Sequence, residues 1–297
     1  MTAQIINGNE TAALLKQDIA KRVAKIKQQY HITPTLAVVL VGNDPASEVY
    51  VSNKEKSAHL VGMNSIQFKL SADISEQELI AKIEELNRDA KVHGILVQLP
   101  LPKHIDSKKI IHKIDFNKDV DGFHIINVGK LSIGEIDGIE KAMVPCTPLA
   151  CIHLLKQVKG DNLAGLKTLV IGTSNIVGRP LARLLMLNNC TVTIANRSTK
   201  DLEGECLQAD VIFSATGVVN LIKPHMVKKG AVIIDVGINR VKTSDGKSKI
   251  VGDVDFEGVK SIASAITPVP GGVGPMTIAY LLQNTLDCYL KQLAKNN

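Results

Sequence analysis

The chain has 297 residues, enough for two cores of ordinary size, and its formal net charge of +6 comes without a basic tract. With four Tyr, five Phe and no Trp, it lacks the stacking platforms that single-stranded nucleic acid requires. No apolar run reaches membrane-spanning length and the five cysteines form no C-x-x-C pair, so a spanning helix, a disulfide framework and a structural zinc site are not expected.

The first predicted element is a helix over residues 11–29, with Leu14, Leu15, Ile19, Val23 and Ile26 in helical period and lysines opposite. A continuous apolar run over 35–41 reads as a buried strand, closed by Gly42-Asn43-Asp44-Pro45. A helix from Ser47 to near Gly62 follows, then a strand over 65–70. Ser75, with Glu78 three residues on, opens a helix to Arg88. Residues 94–99 form a third strand, stopped by Pro100 and Pro102. Three strands separated by two helices predict a parallel β-α-β-α-β unit.

A polar passage over 115–124 and an irregular segment over 134–141 lead to Pro145-Cys146-Thr147-Pro148, which starts a helix through Val158. The inter-domain crossing is placed here. Strands then recur over 168–171, 191–195, 211–215, 232–236 and 261–266, with helices between the first four and a lysine-rich hairpin turn over 243–249. The last helix spans 278–293, with a stripe at Leu281, Leu282, Thr285, Leu286 and Tyr289. The pattern predicts two α/β domains with a cleft between them, the second a Rossmann-like dinucleotide-binding domain with a parallel sheet.

The strand at 168–171 ends at Gly172 and gives way to Thr173, Ser174 and a helix with Pro180 in its first turn. Such a helix start offers free N–H groups to a pyrophosphate. The spacing is G-x-S-x-x-x-G rather than G-x-G-x-x-G, so the same residues describe an ordinary strand–helix turn equally well. After the next strand stand Asn196 and Arg197, where an NAD-selective fold usually carries an acid. An arginine there neutralises a 2′-phosphate and favours NADP, or is simply a solvated surface cation.

Tyr50 and Lys54 share one helix face, so partial burial would make the amine a proton carrier beside a phenol. Taken alone, they read more readily as an exposed lysine stacked on a tyrosine. A Tyr-x-x-x-Lys pair also marks short-chain dehydrogenases, but there it follows the glycine turn, and here it precedes it. Gln98 lies inside an apolar strand at the ligand-facing end of the sheet, within reach of Lys54, or faces water there. Asp121 fits an amino-heterocycle edge, or an Asx turn. The three glycines and two prolines from Pro270 to Thr277 suit close approach of a flat ligand by a stiff backbone. No metal-ligand cluster is read from the sequence.

Together, Ser47-x-x-Tyr50-Val51-x-x-Lys54, residues 97–102 (Val-Gln-Leu-Pro-Leu-Pro), residues 119–124 (Asp-Val-Asp-Gly-Phe-His), Pro145-Cys146-Thr147-Pro148, Ser174-x-x-Val177-Gly178-x-Pro180, Asp235-Val236-Gly237-Ile238-Asn239 and residues 270–277 resemble the bifunctional methylenetetrahydrofolate dehydrogenase/cyclohydrolase family over almost the whole chain. The resemblance implies oxidation of 5,10-methylenetetrahydrofolate with NADP and hydrolysis of the methenyl product to 10-formyltetrahydrofolate. It implies that Lys54 handles protons, Tyr50 positions the pterin, Gln98 tunes Lys54 and Asp121 grips the pterin amino edge. Val97, Leu99, Pro270, Gly271, Gly272, Val273 and Gly274 would line the folate, polyglutamylated or not. Gly172, Thr173, Ser174, Arg197 and Ile238 would meet the dinucleotide.

Residues 1–143 are then the folate-binding catalytic domain, with the C-terminal helix at 275–297 packing back on it. Residues 144–274 are the NADP-binding domain, carrying a homodimer contact. Thr173 stands where the family usually has an arginine for the 2′-phosphate, a task that falls to Arg197. Ile125 replaces a common proline and Ala150 a common glycine. No nucleic-acid or membrane partner is expected. Residues 1–9 are polar without a signal-peptide core, and the compartment expected is the cytoplasm. A dinucleotide-responsive sensor without turnover is the competing class.

Overall fold

The computed structural model describes residues 2–242, 246 and 248–296. The chain splits into two compact units, and the division differs from the expected boundary. Residues through Ala12 belong with Thr147–Thr277, while Ala13–Cys146 is joined by the chain from Ile278 on. The reason is a short strand, β1 (Gln4–Ile5), which pairs in parallel with a strand near residue 265. Two residues whose partners lie about 260 positions away leave no periodic signal to read.

The unit around Ala13–Cys146 begins inside α1 (Gly8–Tyr30) and continues through β2 (Thr35–Val41), α2 (Pro45–Leu60), β3 (Asn64–Leu70), α3 (Glu76–Arg88) and β4 (Gly94–Val97). Its sheet has the order β3-β2-β4, with both pairings parallel. The central strand is buried along its whole length. Ala37, Val39 and Val41 pack with Leu79, Ile83 and Leu86 of α3, and Leu36, Val38 and Leu40 pack on the other face with Val51 of α2. Each such valine, leucine or isoleucine contributes roughly 1.5–3 kcal/mol by leaving water. The α3 start is the expected capping box, with Ser75 Oγ accepting from Glu78 N and Glu78 Oε2 from Ser75 N.

Two helices, α4 (Ser107–Ile111) and α5 (Ile125–Ile133), flank the polar passage over 115–124, in stretches where no element is predicted, and residues 134–141 are irregular as expected. Their caps are local: Asp106 accepts from Lys108 N, and His124 from Ile126 N. The next helix, α6 (Cys146–Lys159), opens on the Pro-Cys-Thr-Pro motif as expected.

The other unit contains β5 (Lys167–Ile171), α7 (Gly178–Leu187), β6 (Thr191–Ala195), α8 (Leu202–Gln208), β7 (Val211–Ser214) and β8 (Val232–Asp235). It continues with the antiparallel pair β9 (Asn239–Lys242) and β10 (Ser248–Val251), α9 (Phe256–Val259), β11 (Ala265–Ile266) and α10 (Val273–Asn296). The expected hairpin turn over 243–249 falls largely outside the described residues. Its main sheet runs β1-β11-β8-β7-β5-β6 with every pairing parallel.

β11 is shorter than the expected 261–266 because Ile262 N and Ala263 N bond Val259 O, extending the turn after α9. α10 starts at Val273 rather than 278, so the glycine-proline stretch is helical from Val273 on, with Pro275 tolerated in the first turn. From Ile278 onward α10 lies in the Lys54-bearing unit, where Leu282, Leu286 and Tyr289 pack with Ile19, Val23 and Ile26 of α1.

Candidate active site

The start of α2 sets the geometry. Asp44 caps it, with Oδ2 accepting from Ser47 N and Ser47 Oγ at 2.8 Å each, and Pro45 enters at the first helical turn. This phase puts Tyr50 and Lys54 one turn apart on one face. Tyr50 is 38% exposed, and Lys54 is partly buried.

Lys54 Nζ donates to Gln98 Oε1 at 2.9 Å. Gln98 follows β4, its N–H bonded to Val39 O and its Nε2 donating to Leu99 O at 2.7 Å. With Nε2 committed to a carbonyl, the amide oxygen faces the amine. Burial pulls the Lys54 ammonium below the ordinary lysine value, and the negative charge of Asp121 pulls it partly back. Asp121 is pushed up to about 6 by burial, against the opposing pull of Lys54. The amine and the carboxyl are thus moved toward neutrality from opposite sides.

Asp119, two residues earlier, has a different task. Its buried carboxylate accepts from Gly122 N, His124 N and Asn127 Nδ2, at 3.1, 2.8 and 2.9 Å. It thereby fixes the turn that presents Asp121, and its charge adds to the upward push on Asp121. Gly122 is left-handed at φ +69°, and a Cβ there would lie 2.3 Å from Met143 O. Asn284 of α10 ties the same region from the other side. Its Nδ2 donates to Val120 O at 2.8 Å, Val144 O at 2.9 Å and Cys146 Sγ at 3.5 Å. Burial holds the Cys146 thiol well above its ordinary value, so it stays protonated. Asn284 was not singled out in the sequence; its only signal is a polar side chain within one turn of Leu281 and Leu282 on an apolar helix.

In the second unit, Gly172 ends β5 at φ +116°, and a Cβ at Gly178 would lie 1.9 Å from Gly172 O, so the turn closes tightly on the start of α7. Val177 makes no side-chain cap, while Ser174 Oγ accepts from Val177 N at 3.2 Å. Thr173 is partly buried and Ser174 exposed. Strand order reverses between β5 and β7, the position where an open parallel sheet takes a ligand at its carboxyl ends. Arg197 is exposed on a turn in which Asn196 Oδ1 accepts from Ser198 N, and Ile238 is 50% exposed. A tight glycine turn, a helix start whose Val177 and Gly178 N–H groups rest on Ser174 Oγ, an exposed guanidinium and an exposed aliphatic fit a phosphorylated dinucleotide.

Of the glycine-proline stretch, Pro270 is exposed, whereas Gly272 and Val273 are buried. A Cβ at Gly8 would lie 1.7 Å from Gly272 O, so the start of α1 packs directly on this backbone. Val97 is buried and Leu99 partly so. Among the described residues, no His/Cys/Asp/Glu group is arranged to hold a metal, and no helix is long and apolar enough to cross a membrane.

Residues 6–121 match the family model of the tetrahydrofolate dehydrogenase/cyclohydrolase catalytic domain, and residues 145–293 that of its NAD(P)-binding domain. The chain is 55% identical to the bifunctional protein FolD of Paramagnetospirillum magneticum, covering 96% of this chain and 94% of that one. The solved bifunctional methylenetetrahydrofolate dehydrogenase/cyclohydrolase of Campylobacter jejuni superposes with a TM-score of 0.92 at 46% identity, covering 98% and 99% of the two chains. The Trypanosoma brucei enzyme, solved with NADP cofactor and an inhibitor, gives 0.92 at 34% identity and 99% coverage of both.

Proposed function

Since this chain belongs to the tetrahydrofolate dehydrogenase/cyclohydrolase family, we propose that Lys54 is the proton carrier of the hydrolysis its members perform. The enzyme oxidises 5,10-methylenetetrahydrofolate to the methenyl form and hydrolyses that cation to 10-formyltetrahydrofolate. NADP⁺, when bound, supplies the hydride acceptor. In the hydrolysis, water adds to the methenyl carbon and its proton passes to the Lys54 amine. The new hydroxyl then becomes the formyl oxygen as the bond to N5 breaks and N5 takes up its proton.

The observation that carries this reading is the Lys54–Gln98 hydrogen bond of 2.9 Å beside a carboxyl raised to about 6. Desolvation lowers the amine toward the range where it accepts a proton, and the Gln98 oxygen aims it. Asp121 holds the pterin amino edge as an anion, and the half-exposed Tyr50 ring lies against the pterin face. Val97 and Leu99 line the folate, whose polyglutamate tail suits the chain's net positive charge. Thus the unit formed by Ala13–Cys146 and the chain from Ile278 on acts on folate, and the unit formed by residues through Ala12 with Thr147–Thr277 acts on the dinucleotide.

Gly172, Thr173, Ser174 and Ile238 hold the dinucleotide, and Arg197 reads its 2′-phosphate. The unpaired thiols suit a reducing cytoplasm. The open edge strand β6, with Ile194 47% exposed, supports a homodimer contact in the dinucleotide unit. A spectrophotometric assay with methylenetetrahydrofolate tests the reading: methenyl product forms with NADP⁺ and more slowly with NAD⁺. Tight nucleotide binding without any absorbance change would identify a sensor instead.

A further inference from the structure

The turn after β5 has a second lip. A Cβ at Gly172 would lie 2.4 Å from Ala215 O, so the segment following β7 borders the proposed phosphate turn directly. What fixes that lip is Asp253, remote in sequence and fully buried. Its Oδ2 accepts from Ser214 Oγ at 3.1 Å, Thr216 N at 2.7 Å, Thr216 Oγ1 at 2.9 Å and Gly217 N at 3.2 Å. Its Oδ1 accepts from Asn239 Nδ2 at 3.0 Å, which fixes the residue after Ile238. One carboxylate therefore gathers the loops leaving β7 and β8.

Asp253 is itself held from behind. Asp235, at the end of β8, accepts from Asp253 N at 3.0 Å, Val254 N at 2.9 Å and Gly237 N at 2.9 Å. The packing leaves no room for side chains: a Cβ at Gly237 would lie 2.1 Å from Asp253 Oδ1, and one at Gly252 1.9 Å from Asp235 Oδ2. Burial raises the Asp235 carboxyl to about 6, and the neighbouring Asp253 charge adds to this. Two acids buried together are a costly way to secure a loop, so the arrangement points beyond stability.

We propose that Asp253 is a positioning residue for dinucleotide recognition, holding Thr216, Gly217 and Asn239 so that the backbone after β7 and the Ile238 side chain meet the cofactor preformed. It acts through these residues and does not touch the ligand. Preformed loops spare the ordering cost that binding otherwise incurs. The proposal rests on reading this unit as the NADP-binding one.

The test is calorimetric titration of NADP⁺ into the full-length enzyme, with methenyltetrahydrofolate hydrolysis measured on the same preparations. Asp253→Asn raises the Kd for NADP⁺ about tenfold, as expected for losing hydrogen bonds to a charged group. Ser214→Ala, at a fully buried position that cannot meet the cofactor, raises it about threefold by removing one donor. Hydrolysis, which uses no dinucleotide, stays within about twofold of wild type, which a general loss of structure would not allow. Should Asp253→Asn not fold, Ser214→Ala carries the test alone. An unchanged Kd in a folded variant, or parallel loss of binding and hydrolysis, would overturn the positioning role. A wild-type enzyme that fails to bind NADP⁺ would overturn the reading of the unit and the proposal with it.

Discussion

In the unit holding Lys54, the groups proposed to act are side chains drawn away from water, their charges pulled toward neutrality by burial. In the unit holding Gly172, they are backbone amides and exposed side chains, and the buried charge lies behind them in Asp235 and Asp253. The contrast follows from the two tasks. A proton carrier needs a tuned acidity, which desolvation supplies. A recogniser of phosphate and sugar needs donors open to the ligand and rigid beforehand, which a hidden carboxylate supplies.

The largest effect that would sharpen this contrast is expected at Asp121. Asp121→Asn raises the KM for methylenetetrahydrofolate by about 30- to 100-fold, the loss of a charge-assisted hydrogen-bond pair. It should also raise Tm by a few degrees at neutral pH. The folded Asp121 and Asp235 carboxyls titrate at about 6, against about 4 for an unfolded aspartate. Between these values the folded protein holds more protons than the unfolded one, so stability falls as pH rises through that window. Thermal melts of wild type and variant between pH 4 and 7 check this, and a variant melting lower throughout would refute it.

A smaller loss is expected at Asn284. Asn284→Leu removes the amide donor to the carbonyls of Val144 and of Val120, which keeps the Cys146 thiol at 3.5 Å, and lowers stability by about 2–3 kcal/mol, read by urea denaturation. Because the same amide fixes the turn before Asp121, the acid limb of the kcat/KM profile, expected near pH 6, should shift in this variant. An unmoved limb would confine Asn284 to a scaffolding task. Smaller again, Arg197→Ala raises the KM for NADP⁺ by about threefold to tenfold, an exposed ion pair being weak. It leaves NAD⁺ use nearly unchanged, and equal effects on both cofactors would show that Arg197 does not read the phosphate.

The elements that lay open in the sequence are those whose pattern is local: the apolar run of β2, the Ser75–Glu78 box, and the Tyr50–Lys54 spacing on α2. Gln98 stood out as a polar residue at the end of an apolar run, although it follows β4 rather than lying inside it. What stayed hidden depends on distant partners. β1 exists only through β11, and α5 begins with two isoleucines that favour strand as readily as helix. Asp119 and Asp121 are indistinguishable in a row of residues. Only the fold turns the first inward onto Gly122, His124 and Asn127. Asp253, in a stretch where no element is predicted, gains its five donors from β7, its following loop and the start of β9.

The most direct test of the division between tuned side chains and supported backbone is the rate of methenyltetrahydrofolate hydrolysis by Lys54→Ala, with NADP⁺ affinity measured on the same sample. Removal of the proton carrier should lower hydrolysis by about 10²- to 10⁴-fold, with circular dichroism and the Kd for NADP⁺ unchanged. Hydrolysis at the wild-type rate by a folded Lys54→Ala enzyme would contradict the account.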